Sequence, residues 1–108
     1  MIIGIGVDVV QVNRLERWRT KPGLLERYFE SGELSAALSR GAGAAQSLAV
    51  RFAAKEAFGK ALGTGLAGIA LKDIMVRNCR NGKPELTCSG TARSALEKSG
   101  ANKVHVSL

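Results

Sequence analysis

Apolar and polar positions at the start of the chain alternate as they do in a β-strand, from Ile2 to Val10. One face of this predicted strand is wholly aliphatic and holds Ile3, Ile5, Val7 and Val9. The other face combines aliphatic and small residues with a single carboxylate, in the order Ile2, Gly4, Gly6, Asp8 and Val10. Because neither face has the polar pattern of a solvated strand, we expect Asp8 to lie in a buried environment.

Helical periodicity follows this strand and continues through the middle of the chain. A short first helix is expected to begin near Asn13, which can serve as its N-cap, and to end at Pro22-Gly23. Small residues from Ser39 to Gly43 predict a loop, and Gly63 is expected to end the helix that follows it. The remaining predicted helices are two short ones and this long one, over Leu24–Phe29, Ser31–Leu38 and about Ala45–Leu62.

The pattern in the last third of the chain predicts most of the strands of a sheet. Two strands, Asp73–Arg77 and Glu85–Cys88, flank the turn signal Asn81-Gly82 and predict a hairpin. A short helix over Thr91–Lys98 precedes a last predicted strand over Lys103–Leu108. Together these elements predict one α+β domain over residues 1–108, with a mixed or antiparallel sheet packed against one long helix and shorter helices.

The composition supports a small globular domain. Apolar residues make up 45% of the 108 residues and aromatic residues only 5%, so the core has to rely on Ala, Leu, Ile and Val. No apolar run approaches the roughly 20 residues of a membrane span, and the first residues lack the basic start of a secretory signal. We therefore expect a cytoplasmic protein in which Cys79 and Cys88 are free thiols.

The excess of positive charge indicates an acidic partner. Sixteen Lys and Arg against nine Asp and Glu give a net charge of +7, which suits nucleic acid, a polyphosphate ligand or an acidic protein. Five basic residues cluster near the start of the chain, at Arg14, Arg17, Arg19, Lys21 and Arg27. This cluster is either a docking surface for such a partner or an ordinary solvated face.

Asp8 and Glu56 are the candidate metal ligands, because each is a carboxylate within a segment of apolar or small residues. On the long helix, Glu56 shares a face with Ala49 and Phe52. A carboxylate buried there is costly unless a cation or hydrogen-bond donors meet it, and two oxygen ligands without His or Cys favour magnesium. In the alternative, Asp8 caps a turn and Glu56 pairs with Lys60, four residues later.

Several groups near these carboxylates suit a phosphate ligand. Lys60 lies one helical turn after Glu56, whereas Arg51 points about 140° away from Glu56 and suits another contact or another subunit. The loop Gly63–Gly68 could bring backbone N–H groups to a phosphate, or it could be a flexible connection. His105, the only histidine, is either a surface hydrogen-bond donor or a catalytic group. No Ser or Cys paired with a base is visible, which favours a transferase whose nucleophile belongs to the substrate.

Four segments of the chain match a known family, in that family's order. They are IIGIGVDVVQVNRLE at the start, RFAAKEAFGKALGTG in the long helix, NGKPEL in the hairpin and KVHVSL at the end. The chain resembles holo-acyl-carrier-protein synthase, the small 4′-phosphopantetheinyl transferase family of bacterial fatty-acid synthesis. The helix segment is the most specific, because Lys55-Glu56-Ala57 stands between Arg51-Phe52-Ala53 and Lys60-Ala61-Leu62-Gly63. Together with the Asp8 segment, it favours the metal-ligand interpretation of the two carboxylates.

The resemblance implies an enzyme that moves phosphopantetheine from coenzyme A to a serine of an acyl carrier protein, releasing adenosine 3′,5′-bisphosphate. Asp8 and Glu56 match the magnesium ligands, and Lys60 matches a phosphate-contacting catalytic lysine. Proton removal from the serine is implied to fall to Glu56 or to a water on the metal. The positions that match nucleotide-binding residues are Arg51, Gly63, Gly65, Gly82, Lys83, Pro84 and His105. Those that match the surface for the acidic carrier helix are Arg14, Arg17 and Lys21.

The resemblance also implies a three-fold ring of subunits with active sites between neighbours. Asp8 and Glu56 would come from one subunit, and Lys83, Pro84 and His105 from the next. Members of the family continue past the HVSL-like strand with Ser-His and one more strand, so we expect this chain to lack that strand, which places its turnover in question.

Two alternatives to the enzyme follow from the same residues. One is a coenzyme A-binding scaffold of the same fold without turnover. The other is a small basic nucleic-acid-binding protein, against which stand the scarcity of aromatic residues for stacking and the lack of a recognised binding motif.

Overall fold

The computed structural model describes residues 1–108 as five α-helices and one two-stranded sheet. The helices are α1 (Val12–Trp18), α2 (Leu24–Tyr28), α3 (Ser31–Leu38), α4 (Ala44–Leu62) and α5 (Gly90–Lys98). The strands are β1 (Ile74–Asn78) and β2 (Pro84–Cys88), and short 3-10 turns lie at Gly41–Gly43 and Leu71–Asp73. The predicted α+β class is confirmed. No helix combines the length and the apolar character needed to cross a bilayer.

The long helix α4 links the two halves of the core. Its many alanines favour the helical conformation, and Gly63 ends it in the left-handed region at φ 79°, as predicted. Leu48 and Phe52 of α4 pack into a first cluster with residues of α1, α2 and α3. Phe58, further along the same helix, packs into a second cluster with the hairpin and α5. The backbone of α4 is therefore held rigidly with respect to both clusters.

The hairpin forms as the Asn81-Gly82 signal predicts. Strands β1 and β2 are antiparallel, with Ile74 opposite Cys88 and Asn78 opposite Pro84. They form a two-stranded antiparallel sheet without a mixed portion. Cys88 and the exposed Cys79 are free thiols, as expected.

The starts of two short helices are set by local capping. Helix α1 begins at Val12 after Gln11, so the predicted N-cap at Asn13 is wrong, since Asn13 already lies within the helix. Helix α3 begins with a capping box, in which the Glu33 N–H donates to the Glu30 carboxylate and the Glu30 N–H donates to the Glu33 carboxylate, both at 3.2 Å.

The predicted strands over Ile2–Val10 and Lys103–Leu108 are wrong as elements of a sheet. A strand needs a neighbour for its backbone groups, and residues 1–10 make no backbone–backbone hydrogen bond. The exposure of successive residues still alternates. Gly6 and Asp8 are half-buried, whereas the neighbouring aliphatic residues are exposed, up to 90% at Val9. The burial expected for Asp8 is therefore partial, and the wholly aliphatic face of the segment is exposed in this single chain.

Candidate functional site

Residues 1–10, the N-terminal segment, lie against α4 because two glycines allow close approach. A Cβ on Gly6 would overlap the carbonyl oxygen of Ala57, and a Cβ on Gly4 would overlap that of Ala61. Any larger residue at either position would push the segment off the helix. Asp8 follows Gly6 on the same side of the segment, so its carboxylate is turned towards α4.

Asp8 meets Lys60 across 52 residues of sequence. The Lys60 ammonium donates to Asp8 Oδ1 at 2.7 Å and to the carbonyl oxygen of Val7 at 3.2 Å. Glu56 lies one turn before Lys60 on α4, half-buried, and its carboxylate has no hydrogen bond and no ion pair. Lys60 thus pairs with Asp8, and the alternative pair between Glu56 and Lys60 does not form.

The donor atoms at this site suit a magnesium ion. The Asp8 side chain is only 16% exposed and already holds a cation, the Lys60 ammonium. Glu56, one helical turn before Lys60, has a carboxylate without an ion pair. No cluster of three or more His, Cys, Asp or Glu residues exists in the structure. Magnesium is typically bound by one or two carboxylates, with waters and substrate phosphates completing its coordination. Two protein carboxylates therefore fit magnesium and do not fit a closed transition-metal site.

A cleft of about 1020 Å³ opens beside Asp8. It is bordered by residues 1–8, by one side of α4 and by residues 99–108, and its lining is mainly aliphatic. His105 lines this cleft in the same chain as Asp8. The structure therefore brings the two predicted site residues to one surface feature, without contact between them.

The glycine-rich loop after α4 is held by its own backbone. Gly63 and Gly65 adopt positive φ values of 79° and 66°. Their N–H groups donate to the carbonyl oxygens of Lys60 and Gly59, both at 3.1 Å. A phosphate contact from either N–H group would require one of these bonds to open.

The predicted residues of the hairpin turn lie apart from the cleft. Gly82, Lys83 and Pro84 do not line it, and the turn is closed by internal bonds. The Gly82 N–H donates to the Cys79 carbonyl oxygen at 2.8 Å, and the Lys83 N–H donates to Asn81 Oδ1 at 3.0 Å. Within one chain, the structure does not bring this turn to Asp8.

Arg51 is buried inside the domain, at 4% exposure. Its guanidinium donates to the hydroxyl of Ser47 on the same helix, and its Nε–H has no acceptor. Burial lowers the pKa of Arg51, and the Glu33 carboxylate opposes that shift. Arg51 thus faces the interior of this chain and does not line the cleft.

The basic cluster is exposed on and just after α1. Arg14, Arg17 and Lys21 have no carboxylate partner, whereas Arg19 pairs with Glu16 at 2.9 Å. The Arg14 guanidinium also lies 4.9 Å from the centre of the Trp18 ring, in cation–π geometry. Three charges of this surface are therefore free to meet an acidic partner.

Sequence reasoning missed a buried ion pair beside the site. Lys55 is fully buried, and its ammonium donates to Glu33 Oε1 at 2.8 Å and to the carbonyl oxygen of Ile74. Glu33 Oε2 in turn accepts the Val76 N–H at 2.9 Å, so the pair connects α3, α4 and β1. Desolvation lowers the pKa of Lys55, and Glu33 opposes that effect. The position of Lys55 could have indicated its burial, because it lies three residues after Phe52 on the buried face of α4.

Comparison with known proteins gives one consistent result. The 4′-phosphopantetheinyl transferase superfamily matches residues 4–107. The chain is 59% identical over 108 residues to a holo-[acyl-carrier-protein] synthase of Treponema denticola, covering 100% of this chain and 88% of the relative. The crystal structure of the Neisseria meningitidis synthase matches with a TM-score of 0.82 at 36% identity, over 95% of this chain and 84% of that one. A Bacillus anthracis synthase in complex with coenzyme A (3′,5′-ADP) matches with a TM-score of 0.74 at 41% identity, over 83% and 78%.

Proposed function

The chain belongs to the holo-[acyl-carrier-protein] synthase family within the 4′-phosphopantetheinyl transferase superfamily, and from this premise we propose that Asp8 and Glu56 form its magnesium-dependent catalytic site. The enzyme uses coenzyme A and transfers phosphopantetheine to an acyl carrier protein. The finer proposal is that this transfer requires magnesium and supplies carrier protein to fatty-acid biosynthesis in the cytoplasm.

The pair between Lys60 and Asp8 is the observation that carries the site. It joins the two segments that resemble the family most, at 2.7 Å, although they are 52 residues apart. Asp8 is thus paired with Lys60, and Glu56 lies one helical turn before Lys60 on α4 with a free carboxylate. These are the charges that a metal ion and a diphosphate require.

In the proposed reaction, the serine oxygen of the carrier protein attacks the phosphorus attached to pantetheine. The phosphoanhydride bond breaks, and adenosine 3′,5′-bisphosphate leaves with the electron pair of that bond. A magnesium ion held by Asp8 and Glu56 would neutralise the negative charge that builds on the leaving group. Proton removal from the serine would fall to a Glu56 carboxylate oxygen that does not bind the metal, or to a water on the metal. Lys60 can donate hydrogen bonds to a phosphate oxygen, because its side chain is 56% exposed and flexible.

The remaining site residues are proposed from the family resemblance. The proposed nucleotide-binding residues are Arg51, Gly63, Gly65, Gly82, Lys83, Pro84 and His105. Of these, His105 lines the cleft at Asp8 and the exposed Lys83 is free to meet a phosphate, whereas Arg51 is buried. Arg14, Arg17 and Lys21 are proposed to receive the acidic carrier protein.

We further propose that residues 1–108 act as one phosphopantetheinyl transferase domain within a homotrimer whose sites lie between subunits. The separation of the hairpin turn from Asp8 supports this arrangement, because a neighbour could supply Lys83 and Pro84 to the site. The exposed aliphatic side chains of the N-terminal segment support it as well, since a neighbour would cover them.

Mass spectrometry of an apo carrier protein incubated with the chain, coenzyme A and magnesium tests the function directly. We expect the carrier to gain the mass of phosphopantetheine. Asp8→Ala and Glu56→Gln should each slow this gain by roughly 10²-fold or more, the scale of losing a main electrostatic stabiliser. Glu97→Gln is the matched control, because Glu97 is an exposed carboxylate on α5, 70% exposed and paired only with Arg93.

Two results would contradict the proposal. Near-normal transfer by both site variants in excess magnesium would show that the two carboxylates are not the metal site. Binding of coenzyme A by the unmodified chain without any transfer would instead identify a scaffold without turnover.

A further inference from the structure

Lys60 makes the only hydrogen bonds between residues 1–10 and the rest of the chain. Its ammonium donates to Asp8 Oδ1 and to the Val7 carbonyl oxygen, and no backbone group of the segment bonds elsewhere. The remaining contacts of the segment are packing contacts, such as that of Gly6 with α4. Lys60 therefore adds hydrogen bonds to a segment that already packs on α4 at Gly4 and Gly6.

The same ammonium occupies one of the two carboxylate oxygens of Asp8, a proposed metal ligand. Asp8 is the more buried partner, at 16% side-chain exposure against 56% for Lys60. An ammonium and a divalent cation within contact distance repel each other, so an ammonium on Asp8 Oδ1 opposes metal binding at the same carboxylate. The long exposed side chain of Lys60 can move into solvent, whereas Asp8 is held near α4 by the close approach at Gly6.

We propose that Lys60 is the counter-ion of Asp8 in the metal-free protein and that a divalent cation binds by displacing it. The proposal rests on the proposed metal site at Asp8 and Glu56. Displacement frees the ammonium at the moment when an anionic phosphate is to be bound beside the metal. Lys60 then pairs first with the Asp8 carboxylate and afterwards with the phosphate. The affinity for the metal is lower than it would be for the two carboxylates without Lys60.

Titration of the nucleotide-free protein with Mn²⁺, followed by the electron paramagnetic resonance signal of the free ion, tests this inference without any turnover. Lys60→Met should bind Mn²⁺ roughly two- to fivefold more tightly than the unmodified chain, the scale of removing one partly exposed ion pair. Lys60→Arg should bind like the unmodified chain, because the charge remains. Asp8→Asn should lose binding.

Lys103→Met is the matched control for charge alone, because Lys103 lines the same cleft as Asp8 and has no ion pair. We expect a much smaller gain in Mn²⁺ affinity from this variant than from Lys60→Met. Circular dichroism and thermal unfolding of each variant verify that the fold is kept.

The outcomes separate the two claims. Unchanged or weaker binding by Lys60→Met, or no binding by either this variant or the unmodified chain, overturns the counter-ion role. Equal gains from Lys60→Met and Lys103→Met overturn it as well, because only net charge would then matter. Binding by Asp8→Asn that equals the unmodified chain overturns the metal site itself, and with it the proposed function of Asp8.

Discussion

Two residues without side chains decide where the carboxylate of Asp8 lies. Gly4 and Gly6 let residues 1–10 approach the backbone of α4 more closely than any Cβ would permit. Since no backbone hydrogen bond holds this segment, its position depends on that close packing and on Lys60. A small change at Gly6 should therefore act on catalysis through Asp8.

Gly6→Ala should reduce phosphopantetheine transfer by roughly 10²-fold, because displacement of Asp8 by about 1 Å is enough for such a loss. The new Cβ would overlap the Ala57 carbonyl oxygen and lie 2.8 Å from the Ala61 nitrogen. Carrier-protein mass spectrometry measures the rate. Gly43→Ala is the matched control, since the nearest atom to its new Cβ is the Cβ of Arg40 at 3.8 Å. Normal transfer by Gly6→Ala would show that the close approach does not position Asp8.

At the scale of elements, the carboxylate of Asp73, in the turn before β1, bonds to the first turn of α5. Asp73 Oδ2 accepts the Thr91 hydroxyl at 2.6 Å and the Thr91 N–H at 2.8 Å, which satisfies a free N–H in the first turn of α5. The hydrogen bond from the Thr91 hydroxyl, and then that from its N–H, lower the pKa of Asp73 below 3.8. Asp73 thus acts as a helix cap from a distant part of the chain.

Asp73→Ala should lower the free energy of unfolding by about 1 kcal/mol at neutral pH, the usual effect of losing a helix cap. A carboxylate with a lowered pKa stabilises the fold above its ordinary pKa and loses that effect as the pH falls through the lowered value. The difference between the two proteins should therefore be complete at neutral pH and shrink below pH 3.8. Urea unfolding across this range measures it. A difference that stays constant with pH would mean that the ionised carboxylate is not the stabilising form.

At the scale of the whole molecule, positive charge and exposed apolar surface are segregated. Arg14, Arg17 and Lys21 form a surface with no internal counter-charge. Exposed aliphatic residues belong instead to the N-terminal segment, at Ile2, Ile3, Ile5, Val7 and Val9. The first surface suits an acidic partner, and the second suits another copy of the chain.

Reversing the charge of Arg14 and Arg17 together should weaken carrier-protein binding roughly tenfold or more and flatten its dependence on salt. The affinity for coenzyme A should stay nearly unchanged, because this surface is separate from the cleft. Binding isotherms at several salt concentrations measure both ligands. Arg93→Glu on α5 is the control for net charge. An equal loss for both ligands would assign the cluster to the fold or to the nucleotide site.

Mixing two inactive variants tests the proposed trimer. A Glu56→Gln chain and a Lys83→Glu/His105→Ala chain, unfolded and refolded together, should recover about a quarter of full activity if sites lie between neighbours. Each variant refolded alone should stay inactive. Absence of recovery in verified hybrid trimers would place each site within one subunit, which the shared cleft of Asp8 and His105 also permits. A monomer at micromolar concentration in analytical ultracentrifugation would rule out the ring.

Local pattern was sufficient for the elements whose bonds are local. The period of α4, its end at Gly63 and the Asn81-Gly82 hairpin were predicted to within a residue or two, because helices and tight turns satisfy their backbone groups among near neighbours. The family was also recognisable, since the Asp8 segment and the Lys55-Glu56-Ala57 string are short and distinctive. Neither prediction required knowledge of the contacts between segments that are distant in sequence.

Strand neighbours and ion pairs between residues distant in sequence depend on the tertiary structure. Alternation alone could not show that residues 2–10 and 103–108 lack a sheet neighbour, because a strand is stable only when another segment accepts its hydrogen bonds. Helical spacing allowed an ion pair between Glu56 and Lys60. Packing at Gly6 instead places Asp8 beside Lys60, and the Lys60 ammonium donates to Asp8 Oδ1 at 2.7 Å. Packing of α3 and β1 on α4 likewise buried Lys55 with Glu33. Each of these pairs depends on which segments the core brings together, and local propensity carries no information about that.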